Sequence, residues 1–250
     1  MTIPTNPTNP TDPSNSANAQ IETLLAPGTL FIFSELSAMA MDGVLSHVFG
    51  QVFRPSSLPE TPAVRAAALA HHIPAFLSHR AVLSQLTAAW VYGCAPPPGE
   101  IALLVENDGN SASLPRRSGC SVRQVQLDAH CVLALETTRL TDGLRTALDV
   151  ARSAPEALAR PVVAALAGEP ALGCPLERIL RALSEAPHVP GKIRGQALVQ
   201  SMLPDPGGRS LEEGMFLDLE GTALDPAEQT AMLQAFLAPL LAPPPAEPEL

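Results

Sequence analysis

The sequence predicts an α+β chain, mostly helical, with a small sheet confined to its middle. Three observations predict it. Apolar residues recur at helical spacing before Gly93 and again from Asp142 onward. Between those stretches, IALLVE, CSVRQVQL and HCVLALE are short runs rich in Val, Leu and Ile, as half-buried strands require. Near the start, Gly50 separates two runs of alternating polarity in the manner of a hairpin. With 250 residues, 46% of them apolar, the chain can bury one or two hydrophobic cores.

Taken in order, residues 1–19 are Pro, Thr, Asn and Ser with Asp12 as the one charge, and they read as a disordered tail. Ordering each residue costs about 1 to 2 kcal/mol, and burying Met1 and Ile3 returns only about 1.5 to 3 kcal/mol apiece. Ser34 is placed as the N-cap of a short helix over ELSAMAMDG that stops at Gly43. Val44 to His47 and Gln51 to Arg54 are the two strands of the hairpin. Helices are expected over Thr61 to His72 and Ser78 to Tyr92, split by Pro74 and each opened by a capping hydroxyl. CAPPPG then breaks the chain, and the three strand-like runs follow, with a turn-rich connection from Asn107 to Gly119. From Asp142 the pattern is helical, until LAPPPAEPEL stops the last helix in an acidic, Pro-rich end.

Charge narrows the function. Fifteen basic residues, of which only Lys192 is a lysine, stand against twenty-five acids, so the surface as a whole is not built to grip phosphates. The deficit is uneven. From Leu114 to Arg160 seven arginines (Arg116, Arg117, Arg123, Arg139, Arg145, Arg152, Arg160) face five acids. Asp142, Arg145 and Asp149 share one helical face, where ion pairs worth about 0.3 to 0.5 kcal/mol are ordinary, so an intramolecular role is expected there. Arg116 and Arg117, in a turn without an acidic neighbour, are better placed for contact. Cys94, Cys120, Cys131 and Cys174 form no CxxC pair and read as free thiols packed as small hydrophobes. No apolar run reaches the roughly 18 residues of a membrane span, and no secretory signal precedes the first helix, so a cytoplasmic location is expected.

Three blocks, in order, carry a family resemblance: the short helix and hairpin ending in VFRP (Ser34 to Pro55), LSHRAVLSQLTAAWVYG (Leu77 to Gly93), and RLTDGLRTALDVAR (Arg139 to Arg152). Jointly they resemble the AbiEi-type antitoxins of type IV toxin–antitoxin systems, chiefly the actinobacterial branch. The resemblance, which spans roughly Leu30 to Arg152, implies a reduced winged-helix-like start over residues 20–56 and an α/β domain over 57–152 in which a strand precedes the Arg-Thr helix; the helical pattern and the Pro-rich end give a helical extension over 153–242 and a tail over 243–250. The resemblance further implies a non-enzymatic transcriptional regulator whose partner is a nucleotidyltransferase-like toxin. The chain departs from the family at the DNA-reading end. After Gly43 it enters the hairpin directly, without a recognition helix for the major groove, and no Lys or Arg precedes Arg54. DNA binding is therefore disfavoured, and a divergent interaction protein of the same fold is the alternative. The candidate contact residues are Arg54, Arg116, Arg117, Arg123, Arg139 and Arg145.

No catalytic residue, metal site or cofactor is expected. Ser78 and His79 are neighbours on a predicted helix, about 100° apart, whereas a catalytic Ser–His pair is assembled in space. Ser78 as a cap explains them. His71 and His72 are expected as cations at a helix C-terminus, and no His pair has metal-ligand spacing. RSLEEGMF (Arg209 to Phe216) faintly resembles the entry helix of a repair-type endonuclease, but no Lys follows Asp218 and Glu220 to complete such a site.

Overall fold

The computed structural model describes residues 24–28, 30–107, 114, 118–135 and 138–204. The two terminal tails, the Asn107–Gly119 connection for the most part, and the predicted helices beyond Pro204 lie outside the described residues. Those up to Leu203 belong to one compact unit, of mixed α+β class with seven α-helices and two small sheets.

Helix α1 (Phe33–Met41) begins the fold. Its cap differs from the prediction: the Glu35 carboxylate reaches back to accept the Ile32 N–H at 2.9 Å, and Ser34 lies within the first turn. A carboxylate there also suits the positive end of the helix dipole. Four residues later the hairpin of β1 (Leu45–Phe49) and β2 (Val52–Pro55) forms in the predicted place, paired from Leu45 with Pro55 to Phe49 with Val52. Leu36, Leu45 and Phe53 make a small core beneath it.

Helix α2 (Pro62–Ala70) has the predicted cap, Thr61 Oγ1 accepting the Val64 N–H, and its Pro sits where no N–H is needed. Of the helix predicted from Ser78 to Tyr92 only the second half is formed. Residues 75–80 turn, Val82–Leu83 make a short strand β3, and α3 (Gln85–Val91) starts only after Ser84. Ala81 to Ser84 are all buried, and a run buried on both faces belongs to a central strand. Helical spacing hid it, because Ala, Val and Leu suit either geometry in so short a run. Ser78 caps nothing; its hydroxyl donates to the Ala75 carbonyl. The helix is turned off the strand at Gln85, whose φ of +52° lies in the left-handed region.

Strand β3 is the centre of a five-stranded sheet completed by β4 (Ile101–Glu106), β5 (Cys120–Val125), β6 (Val132–Leu135) and β7 (Thr138–Thr141), in the order β5-β4-β3-β7-β6. β4 runs antiparallel to β3 and parallel to β5, while β7 runs parallel to β3 and antiparallel to β6. The three predicted strand runs are in place, and β7 stands where the resemblance implied a strand. Arg65 ties α2 to α3: it pairs with Glu60 at 2.6 Å, donates to the Trp90 carbonyl at 2.9 Å and lies over the Trp90 ring.

Beyond the sheet come α4 (Gly143–Ser153), α5 (Glu156–Gly168), α6 (Leu176–Glu185) and α7 (Lys192–Gln200), matching the helical pattern from Asp142. They enclose a second core around Ala147, Val150, Val163, Leu166, Ile179 and Leu183. Helix α3 is shared, because Ala89 faces this helical core while Trp90 and Val91 face the sheet core of Leu83, Leu103 and Leu140. Tyr92 packs on both, and its hydroxyl donates to the Thr141 carbonyl at 2.6 Å.

Burial, and then the negative charge of Asp142, push the Tyr92 phenol far above its ordinary value, so the folded chain holds it neutral. The folded state thus keeps a proton that the unfolded state loses from about pH 10 upward, and stability falls as pH rises through that range. Tyr92 is the chain's one tyrosine. An alkaline spectrophotometric titration should therefore show phenolate only together with unfolding by circular dichroism, and phenolate forming in the intact fold would contradict this assignment. Tyr92→Phe should lower stability by about 1 kcal/mol in urea melts.

Candidate partner interface

The third sequence block, RLTDGLRTALDVAR, builds one wall of a groove. Asp142 caps α4 by accepting the Arg145 N–H at 2.6 Å, and the Thr146 hydroxyl lies 2.7 Å from that of Thr141. These contacts fix where α4 starts and how it is rotated. Its apolar residues Ala147, Val150 and Ala151 consequently face the core, and Arg145, Leu148, Asp149 and Arg152, at positions i, i+3, i+4 and i+7, share another face.

Asp149 is the centre of that face. Its carboxylate is nearly buried, with 8% of the side chain exposed, and accepts from Arg145 Nε at 2.9 Å and from Arg152 at 3.4 Å. One carboxylate thus holds two guanidiniums, an arrangement that tolerates burial because opposite charges and hydrogen bonds offset desolvation. Arg152 also donates through Nε to the Pro190 carbonyl at 3.2 Å. The loop that carries Pro190 presses closely on α4. Gly191, with a φ of +79°, stands where a Cβ would run into the Arg152 carbonyl.

Across from α4 runs the end of β5. Arg123 is exposed and has no hydrogen-bond or ion-pair partner among the described residues. Together with Gln126, Val125 and the loop from Ala186 to Gly191 it closes an open groove of about 1010 Å³. Three arginines against one aspartate make the lining cationic.

The groove therefore joins two of the six sequence-predicted contact residues, Arg123 and Arg145. The others are elsewhere. Arg54 turns inward at the hairpin end, donating to the carbonyls of Pro55 and Leu58. Arg139 donates to the His79 carbonyl at 2.9 Å and lines a separate hollow beside Glu106. Arg116 and Arg117 lie outside the described residues. Sequence reasoning missed Arg152 as a site residue, although its i+7 spacing from Arg145 was the available signal. The expected ion pairing of Arg145 with Asp149 is present.

Other cations are spent on carbonyls. Lys192 donates to Ser184 and Ala186 at the C-terminal end of α6, where a positive charge suits the dipole, and Arg194 donates to Ala154. His71 departs from expectation: burial, and then the neighbouring His72, hold it below the usual imidazole value, which favours the neutral ring over the predicted cation. Burial likewise pushes all four thiols up; Cys120 and Cys174 are buried, and Cys94 and Cys131 half-buried. Among the described residues no three His, Cys, Asp or Glu side chains are grouped to hold a metal ion, and Asp218 and Glu220 fall outside them. No helix among the described residues is long and apolar enough to cross a membrane.

Comparison with known proteins adds no relative: no protein-family model matches the chain, and no curated protein is similar to it.

Removing the central carboxylate by Asp149→Asn leaves two arginines facing each other with a weaker acceptor between them, and should destabilise the fold by about 3 kcal/mol in urea melts. Arg123→Ala should leave stability within about 0.5 kcal/mol of wild type. Equal effects of the two changes would show that Asp149 does not organise the wall.

Proposed function

We propose that this chain is a non-catalytic, antitoxin-like protein that engages a macromolecular partner through the arginine groove, the partner implied by the resemblance being a nucleotidyltransferase-like toxin. The observation that carries this reading is the convergence of Arg123, Arg145 and Arg152 on one open surface in a chain whose net charge is -10. Rigid guanidiniums held by a buried carboxylate are preorganised, so little rotamer entropy is lost when a ligand arrives. The ordered three-block resemblance supports the same reading, since its third block forms the wall.

A second reading, an interaction or scaffold protein that has lost DNA recognition, is favoured by the start of the fold. Among the described residues α1 passes into the hairpin without an intervening helix, and Arg54, the hairpin's arginine, is turned onto carbonyls. That leaves no cationic reading head there to displace counterions from DNA.

Co-expression with a nucleotidyltransferase encoded beside this gene should rescue growth, and Arg123→Glu should reduce rescue at unchanged protein level. If wild type neither rescues nor copurifies with that enzyme, the antitoxin reading is wrong. Salt-sensitive retardation of its own promoter fragment would reject the second reading.

A further inference from the structure

We infer that the groove receives an extended acidic peptide segment in which carboxylate and apolar side chains interleave; this rests on the partner-binding reading above. The lining itself has that pattern. On the strand side Arg123 is followed two residues later by Val125 on the same face, and on the helix side Leu148 stands between Arg145 and Arg152. Pro187, Val189 and Pro190 close the groove with apolar surface, and the prolines bring no N–H of their own.

Each component selects for part of the ligand. Carboxylates match guanidinium forks, and here those of Arg145 and Arg152 are already oriented by Asp149, whose own charge they take up. Apolar side chains match the walls between the forks. An extended segment presents alternate residues to opposite sides, so it meets β5 and α4 at once. Nucleic acid fits less well. No aromatic ring lines the groove, and sequence-tolerant binding of single strands depends on bases stacking upon rings. Phosphates would occupy the arginines and leave the apolar walls facing water.

The test uses the full chain and fluorescence anisotropy. The probe is a fluorescein-labelled peptide of alternating Glu and Leu, compared with alternating Glu and Ser and with oligothymidylate of the same formal charge. The Glu-Leu peptide should bind saturably, more weakly as salt rises, and about tenfold more tightly than either comparison probe, the ratio one lost set of contacts of ordinary size produces. Arg123→Glu, at an exposed position, should weaken it about tenfold with an unchanged circular dichroism spectrum, and Val189→Ser should weaken the Glu-Leu peptide but not the Glu-Ser peptide. Absence of saturable peptide binding, indifference to Arg123→Glu, or oligothymidylate binding as tight as the peptide's would each overturn the inference. If toxin rescue still depends on Arg123 in that event, the partner-binding reading stands and only the ligand chemistry is wrong; loss of both removes the reading as well.

Discussion

The hydrogen bond from the Tyr92 hydroxyl to the Thr141 carbonyl joins the two hydrophobic cores where the chain passes from β7 into α4. The α4 wall of the groove depends on that passage. The carbonyl it satisfies belongs to the last residue of a strand, the residue next to it caps the helix, and the hydroxyls of Thr141 and Thr146 meet within the first turn. Buried polar groups of this kind are costly unless each finds a partner, so they admit one arrangement of strand and helix and penalise the rest.

Once α4 is set, its electrostatics follow from geometry. A helix turned so that Ala147 and Val150 are buried must carry Arg145, Asp149 and Arg152 together on a neighbouring face. The buried carboxylate then does two things: it neutralises part of the charge that two nearby arginines would otherwise oppose, and it keeps their forks from swinging into solvent. The wall it makes is held in place, whereas Arg123 opposite is exposed and has no partner among the described residues. This division resembles what binding surfaces need, a fixed set of donors to limit entropy loss and an adjustable one to complete the fit.

Net charge describes such a surface poorly. Interactions between exposed charges fade beyond about 8 to 10 Å at physiological salt, so distant acids do not cancel a local cationic patch. What matters is which cations remain available. Arg54, Arg65, Arg139, Lys192 and Arg194 all donate to backbone carbonyls and are occupied in holding loops and helix ends. Arg152 is partly occupied in the same way, through the Pro190 carbonyl, and shares Asp149 with Arg145, so Arg123 alone of the groove's three arginines has no partner among the described residues.

Much of the architecture was legible along the chain because it is written in local terms. Gly50 between alternating runs marks a hairpin, Thr61-Pro62 and Asp142 mark helix starts, and short Val- and Leu-rich runs mark strands. The error at Ser78 was also a local one: Ala81 to Ser84 carries no alternation, since both its faces are buried, and only the neighbouring strands β4 and β7 make it β-structure. Ion pairing along α4 was legible from spacing, and the mild positive charge of residues 114–160 was legible from counting. By itself, then, the sequence determined the fold class, most of the elements and the helical face that carries Arg145 and Asp149, because turns, caps and helical repeats act over a few residues. Tertiary structure alone decided that Arg123 faces that helix across a groove and that Arg54 and Arg139 do not, because those outcomes depend on which strand lies at the sheet's edge and which carbonyls lie within an arginine's reach.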